Sequence, residues 1–280
     1  MRLLLSLFFL IKRRKLWIKF GNRYVRFYFS TKELVVGYDN KPLIKNIDIG
    51  VNKGEILSII GPNGAGKSTV LKSIAKQLES ISGCMYLDNK DMQNISGSEL
   101  SKEMAVLFTD RIKGEMMSCE EVVAAGRYPY TGRFGILSEN DKKIVEETMK
   151  TVGIYDLKDS DYSKISDGQK QRVLLAKVLC QEPQIILLDE PTSFLDIRYK
   201  LEFFSVIEKM KKEKNLTVIM SLHELELAKS ISDKVLCLKG EYVDRFGTVS
   251  EIFDRDYICE LFGINDTLGS FALDKNIGLF

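Results

Sequence analysis

The 280-residue chain is poor in the residues that build metal centres and disulfide frameworks. It contains one histidine and five cysteines, and no two cysteines form a C-x-x-C pair. This spacing indicates neither a zinc site nor a disulfide framework, and it favours reduced thiols in a cytosol. The mostly apolar run at residues 3–11 is nine residues long, far short of the ~20 that a membrane-spanning helix needs. No low-complexity tract or internal repeat is visible.

Acidic residues are missing from one end of the chain. Residues 1–30 carry eight basic residues and no acid, whereas the remainder carries 33 basic against 39 acidic residues, a net charge of about −6. A basic end on an acidic body does not indicate a nucleic-acid binder, so we expect no nucleic-acid partner. Residues 1–30 fit three interpretations: a translated extension upstream of the true start, which we favour; an anchor in the membrane interface; or a segment that packs on the body.

From residue 32 onward, strand-like and helix-like segments alternate. The stretches TKELVVGYDN and LIKNIDIGV alternate apolar and polar residues, as half-buried strands do. The apolar runs GEILSII, QIILLDEP, LTVIMSL and KVLCLKG are typical of buried strands in a parallel sheet. Residues from about 98 to 163 have helical spacing instead, with caps predicted at Ser118 and at Ser138 or Asn140. We therefore predict an α/β fold with a helical insertion.

The segment GPNGAGKST follows an apolar strand and precedes a helix, and it fits the phosphate-loop pattern G-x-x-x-x-G-K-[ST]. Its glycines let backbone N–H groups surround phosphate oxygens, and the helix directs its positive end at the same anion. Lys67 is predicted to reach the β- and γ-phosphates, and Ser68 to ligate Mg²⁺. The predicted nucleotide-binding residues are Gly61, Pro62, Asn63, Gly64, Ala65, Gly66, Lys67, Ser68 and Thr69.

A second apolar strand ends in two adjacent carboxylates, Asp189 and Glu190. Asp189 is expected to hold Mg²⁺, and Glu190 to polarise the water that attacks the γ-phosphate. Neighbouring side chains of a strand point to opposite faces, so both acids can serve one site only if the chain turns after Asp189. Pro191 favours such a turn.

A third motif, Ile165 to Gln169, reads ISDGQ and opens the helix KQRVLLAKVLC. Ser166 is predicted to cap this helix, whose free N–H groups form a second anion site. Capping alone does not explain why the loop lies just before the acidic strand.

These motifs, in this order, resemble those of the nucleotide-binding subunits of ABC transporters, over about residues 32–263. The phosphate loop corresponds to the family's Walker A motif, the acidic strand to Walker B, and ISDGQ to the LSGGQ signature. The resemblance implies a P-loop NTPase (RecA-like) core with an antiparallel β subdomain and a helical insertion, here about residues 98–175. It divides the chain into an extension (1–30), an ABC ATPase domain (31–265) and a tail (266–280).

The resemblance also implies roles for single residues. Tyr38 occupies the place of the aromatic residue that stacks on adenine. Asp196, in SFLD, falls in the D-loop. A lone histidine is more often a surface or core residue than a catalytic one, but His223 falls at the family's switch histidine, which donates a hydrogen bond to the γ-phosphate. The implied catalytic residues are Glu190, His223 and Lys67. Residues of the signature that would meet nucleotide are Ser166, Gly168 and Gln169.

Two positions depart from the family pattern. Where the family usually has a glutamine that senses Mg²⁺, this chain has Thr109, followed by Asp110. Both side chains carry oxygen, so the implied metal-binding residues are Ser68, Asp189 and Thr109. The signature has Asp167 where the family prefers glycine, and this carboxylate must point away from phosphate or pair with Lys170 or Arg172. Neither change removes a hydrolytic residue, and both affect the expected coupling and rate.

Family members work as pairs that hold two ATP molecules between Walker A of one copy and the signature of the other. We therefore expect a homodimer that uses ATP and Mg²⁺. It would dock under a polytopic permease, at the cytoplasmic face of the inner (plasma) membrane, with a solute-binding protein as an indirect partner. The loop GRYPYTGRFG is similar to the GRxP loop of importers for iron–siderophore, haem and vitamin B12. The alternatives are a soluble ABC ATPase, as in iron–sulfur assembly, and a non-hydrolysing regulator.

Overall fold

The computed structural model describes residues 18–20, 23–108, 117–193 and 195–264, and only the backbone of residues 18–20 and 23–25. Two short strands, β1 (Ile18–Phe20) and β2 (Arg23–Val25), pair with each other. The other described strands form one mixed sheet. They are β3 (Phe29–Tyr38), β4 (Lys41–Ile47), β5 (Gly50–Val51), β6 (Ile56–Ile60), β7 (Ser82–Leu87), β8 (Lys90–Asp91), β9 (Met104–Leu107), β10 (Ile185–Asp189), β11 (Thr217–Ser221), β12 (Lys234–Lys239) and β13 (Tyr242–Thr248).

One half of the sheet is parallel, with the strand order β9–β10–β11–β6–β12. Its central strands are apolar on both faces because each face packs on its own core. In β6, Ile56 and Ile60 belong to one hydrophobic cluster, whereas Leu57 and Ile59 belong to the other. This half is the P-loop NTPase core that the sequence predicts.

The other half is mainly antiparallel, and β3 is its centre, since β3 pairs antiparallel with β4, β5 and β7. The two halves join through β12 and β13, which are antiparallel to each other. The predicted antiparallel subdomain is therefore confirmed. Its first strand begins earlier than the domain boundary predicted after residue 30, because Phe29 is fully buried in the core.

The described helices cover the sheet, and several begin with a predicted cap. Ser118 and Ser138 each accept a backbone N–H of the first helical turn in a capping box. In the described ranges, no helix has the length and apolar character that crossing a bilayer requires. The helices are α1 (Lys67–Ile74), α2 (Gly97–Glu103), α3 (Cys119–Ala124), α4 (Glu139–Val152), α5 (Asp167–Cys180), α6 (Ile197–Lys214), α7 (Leu225–Ile231), α8 (Val249–Ile252) and α9 (Arg255–Phe262).

The helical insertion does not fill the range predicted for it, about residues 98–175. Within that range, β9 pairs in parallel register with β10, so residues 104–107 belong to the core sheet. The physical reason is that Met104, Ala105 and Leu107 of the apolar run MAVL are buried beside β10. The segment after β9, residues 109–116, lies outside the described residues, as do residues 1–17 and 265–280.

A buried arginine joins the insertion to the core. Arg127 is 3% exposed, and its Nε donates to Asp141 Oδ1 at 2.9 Å. Its Nη1 donates to the carbonyl of Cys180 at 2.8 Å and to Glu182 Oε2 at 3.0 Å. The guanidinium carbon also lies 4.1 Å from the centre of the Tyr130 ring. One side chain thus ties the start of α4 to the end of α5.

We expect Arg127→Met to lower the free energy of unfolding by about 3–5 kcal/mol, because it leaves the Asp141 carboxylate buried without its partner. Lys142→Met is the matched control, since Lys142 pairs with Glu139 on the exposed surface, and it should cost at most about 1 kcal/mol. Urea unfolding of both variants measures the difference. Equal losses would contradict the anchoring role of Arg127.

The pH dependence of stability tests the same pair. Hydrogen bonds from Ser138 and contact with Arg127 hold the pKa of Asp141 below its ordinary value of 3.8. Such a carboxyl contributes stability that is fully present above its ordinary pKa and is lost as the pH falls through the folded-state pKa. We expect Asp141→Asn to be less stable than the native chain at neutral pH, with a difference that shrinks below pH 3.8. Urea unfolding across this range measures it, and a constant difference would refute the assignment.

Candidate active site

The phosphate loop joins the end of β6 to the start of α1, and two of its glycines are required by its shape. Gly66 caps α1 with φ of 87°, in the left-handed region that favours glycine. Gly61 passes so close to β12 that a Cβ on it would lie 2.4 Å from the carbonyl oxygen of Leu238. The strand–loop–helix arrangement expected from the sequence is therefore present.

Lys67 is the first residue of α1, and its side chain reaches back into this loop. Its Nζ donates to the carbonyl oxygens of Gly61, at 2.9 Å, and Pro62, at 3.2 Å. Burial lowers the pKa of Lys67, while the carboxylates of Glu190 and Asp189 oppose that shift. Phosphate oxygens are stronger acceptors than carbonyls because they are charged, so Lys67 can exchange these bonds for bonds to nucleotide.

The chain turns after Asp189, as the sequence predicts. Glu190 has φ of 47°, a left-handed conformation that is uncommon outside glycine. Its backbone N–H donates to Ser221 Oγ at 2.9 Å. The turn breaks the alternation of the strand, so the side chains of Asp189 and Glu190 can serve the same site.

Asp189 is 3% exposed and accepts two hydroxyl hydrogen bonds on Oδ1. Ser221 Oγ donates at 2.6 Å and Ser68 Oγ donates at 3.0 Å. Asp189 and Ser221 are directly opposite each other in the register of β10 and β11. The oxygen atoms of Asp189 and Ser68 therefore converge beside the phosphate loop, and oxygen ligands are those that Mg²⁺ prefers.

The single histidine of the chain lies against Glu190. His223 Nε2 and Glu190 Oε1 share a hydrogen bond. Ser193 Oγ donates to the other carboxylate oxygen, Oε2, at 3.3 Å. Glu190 is thus oriented from two sides: by His223, which lies two residues after β11, and by Ser193 of the SFLD segment.

A cavity of about 430 Å³ brings most of these residues together. Tyr38 lies at its border, half-exposed, with its hydroxyl 3.2 Å from Thr69 Oγ1. The cavity combines the N–H groups of the loop and the ammonium of Lys67 with the Glu190–His223 pair. The N–H groups and the ammonium suit the negative charge of a polyphosphate. Its described lining is Leu43, Asn63, Gly64, Gly66, Lys67, Ser68, Thr69, Glu190 and His223.

The signature residues lie elsewhere in the chain. Ser166 caps α5 as predicted, in a capping box with Gln169, and neither lines the described cavity. Asp167 points to solvent, and its Oδ1 lies 3.7 Å from Lys170 Nζ. Of the two partners expected for this carboxylate, Lys170 is therefore the one that it meets. Asp196 caps α6 through the N–H of Tyr199. The predicted metal ligand Thr109 lies outside the described residues.

Sequence reasoning missed two serines of the site. Ser221 bonds both to Asp189 and to the backbone of Glu190, and Ser193 bonds to the Glu190 side chain. A signal for Ser221 was available, because it is a polar residue at the end of the apolar strand that precedes His223. Its partner, however, depends on the pairing of β10 with β11, which the sequence did not specify.

Comparison with known proteins identifies the family of the chain. The model of the ABC transporter family matches residues 44–193. The chain belongs to the ABC transporter family. It is 41% identical, over 88% of this chain and 87% of the relative, to an uncharacterised ABC transporter ATP-binding protein of Methanocaldococcus jannaschii. It is 33% identical to the iron(3+)-hydroxamate import ATP-binding protein FhuC of Bacillus subtilis, over 84% of this chain and 88% of that protein.

The fold of this ABC ATPase is also that of solved structures. The structure of cbiO1 from Clostridium perfringens, part of an ABC transporter complex, is 28% identical with a TM-score of 0.73. The match covers 90% of this chain and all (100%) of that chain. The predicted fold class and the predicted family are therefore both confirmed.

We expect Ser221→Ala to lower kcat for ATP hydrolysis by about 10–100-fold, the usual cost of losing a residue that orients metal-binding or catalytic groups. The change removes one hydrogen bond from Asp189 and the acceptor of the Glu190 N–H. Ser205→Ala is the control, because Ser205 bonds only to its own helix on the surface. Steady-state hydrolysis measures both, and full turnover in Ser221→Ala would show that Ser221 does not hold the carboxylates.

Proposed function

We propose that this chain is the ATP-hydrolysing subunit of a membrane importer for iron–siderophore, haem or cobalamin. The observation that carries the hydrolytic part is the left-handed turn at Glu190. It directs Glu190 to His223 beside a complete phosphate loop, while Asp189 stays next to Ser68. A non-hydrolysing regulator would not need this arrangement.

The reaction is the attack of water on the γ-phosphorus of ATP, which gives ADP and phosphate. Glu190 accepts a hydrogen bond from the attacking water and polarises it. His223 bonds to Glu190 through Nε2, and on binding of ATP it would turn this N–H to the γ-phosphate, so that the phosphate, the water and the carboxylate stay in register. Lys67 and the start of α1 stabilise the negative charge on the phosphate oxygens.

Asp189 and Ser68 are the described residues that fit Mg²⁺, and the ion would neutralise β- and γ-phosphate oxygens when bound. Their hydroxyl and carboxylate oxygens already face each other at 3.0 Å. Thr109 remains a third proposed ligand. We propose that Tyr38 stacks on the adenine ring, which is supported by its half-exposed ring and by the contact of its hydroxyl with Thr69 of the phosphate loop.

We propose a homodimer, and the separation of the phosphate-loop cavity from the signature segment supports it. The signature residues do not line the described cavity at the phosphate loop; they are Ser166, Gly168 and Gln169. These residues open α5, a fourteen-residue helix whose N-terminal N–H groups favour an anion. We propose that they close over the nucleotide of a second copy, and that Asp196 lies at the same interface.

The import role is supported by the relatives. FhuC of Bacillus subtilis, at 33% identity over 84% of this chain, is named for iron(3+)-hydroxamate import. The GRYPYTGRFG loop is similar to the GRxP loop of importers for iron–siderophore, haem and vitamin B12. In this chain the loop is partly a helical turn held by Arg127. We propose a polytopic permease as the direct partner, a solute-binding protein as an indirect one, and a peripheral location at the cytoplasmic membrane face.

The Glu190→Gln variant tests this proposal. We expect its hydrolysis to fall by about 10²–10⁴-fold and its Mg-ATP complex to persist as a dimer. Purified from membranes of the native organism with Mg-ATP, it should retain a polytopic membrane protein that mass spectrometry identifies. Lys67→Ala, which weakens nucleotide binding, is the control and should not retain the dimer. Recovery of soluble proteins alone would contradict the importer and favour a soluble ABC ATPase.

A further inference from the structure

Helices α5 and α6 meet through a contact between a glycine and an aromatic ring. Gly168 is the second residue of α5 and is buried. A Cβ built on it would lie 2.7 Å from Cδ2 of Tyr199 and 2.9 Å from both Cγ and Cε2. Real Cβ atoms essentially never come within 3.0 Å of another heavy atom. Because Cγ is among the atoms met, turning the ring about its own axis does not remove the clash.

The backbone of Gly168 does not itself require glycine. Its φ is outside the positive region that some other glycines of the chain adopt. Alanine is the better helix former, so helix propensity favours a side chain here. Within one chain, the ring of Tyr199 therefore fills the space that a side chain at residue 168 would need.

Tyr199 is fixed in this position from several sides. Its N–H donates to Asp196 Oδ1 at 3.0 Å, which places it in the first turn of α6. The guanidinium carbon of Arg172, on α5, lies 5.2 Å from the centre of its ring. Arg172 in turn pairs with Glu202 of α6 at 3.2 Å.

A second contact links the same helix to the catalytic turn. Gln171 Nε2, also in the first turns of α5, donates to the carbonyl of Pro191 at 2.7 Å. Pro191 follows Glu190 directly. The start of α5 thus contacts both ends of the segment that runs from Glu190 to Tyr199.

We propose that Tyr199 is a positioning residue that sets the orientation of the signature segment, residues 166–169, relative to the turn that carries Glu190. The inference rests on the proposed function, in which that segment closes on the nucleotide of a second copy. We further infer that residue 168 is glycine because Tyr199 occupies the space that a side chain at residue 168 would need.

A double-mutant cycle tests the contact. We expect Gly168→Ala to lower kcat for ATP hydrolysis at least about tenfold and Tyr199→Ala to lower it about two- to fivefold. Combining the two changes should restore kcat to the level of Tyr199→Ala, since the methyl group then has room. Tyr199→Phe keeps the ring and should retain native turnover. The Kd of the monomer for ATP should be the same in all variants, because the phosphate loop is untouched.

Two results would overturn the proposal. A double variant as impaired as Gly168→Ala would show that the methyl group meets something other than Tyr199, such as nucleotide. Native turnover in Gly168→Ala would show that the contact has no consequence.

If the native chain hydrolyses no ATP, the proposed function fails, and the contact is then judged by urea unfolding of the same variants. Gly168→Ala should lower the unfolding midpoint, and adding Tyr199→Ala should lower it no further. Additive losses would overturn the inference.

Discussion

The left-handed backbone of Glu190 is the constraint on which the active site depends. Held in the extended conformation of β10, Glu190 would point to the face opposite Asp189. A non-glycine residue in the left-handed region costs of order 1–3 kcal/mol. Neighbouring bonds offset this cost: the Glu190 N–H donates to Ser221, the N–H of Ser193 donates to the Glu190 carbonyl at 3.1 Å, and Gln171 donates to the Pro191 carbonyl. The strain is located at the carboxylate that we propose polarises the attacking water.

The parallel sheet gives this turn a rigid base. Strand β11 lies between β6 and β10 and pairs with both. All three strands are buried along their whole lengths. The phosphate loop, the Asp189–Glu190 pair and the His223 segment all follow the carboxyl ends of these strands. Ligands of open α/β sheets bind at that edge. The pairing of these strands thus brings the three segments together, although they are far apart in the sequence.

Much of this site could be predicted from the sequence, because its motifs are local. The phosphate loop needs only its glycines, its lysine and the flanking strand and helix, and the turn after Asp189 follows from two adjacent acids before a proline. The role of Ser221 could not be predicted, since it depends on a long-range pairing of β10 with β11. The limits of the insertion were missed because β9 is a short apolar strand within a helical region. The contact of Gly168 with Tyr199 joins two helices and leaves no local pattern.

One chain holds the phosphate-loop cavity with the Glu190–His223 pair, and its own signature segment does not line that cavity. We propose that hydrolysis requires a second copy to supply that segment. The most direct measurement is the specific ATPase activity of the purified chain over about a hundredfold range of protein concentration at saturating Mg-ATP. We expect activity per chain to rise with concentration and then to reach a plateau as dimers form. Constant activity per chain throughout this range, with a monomeric mass at its lower end, would contradict it.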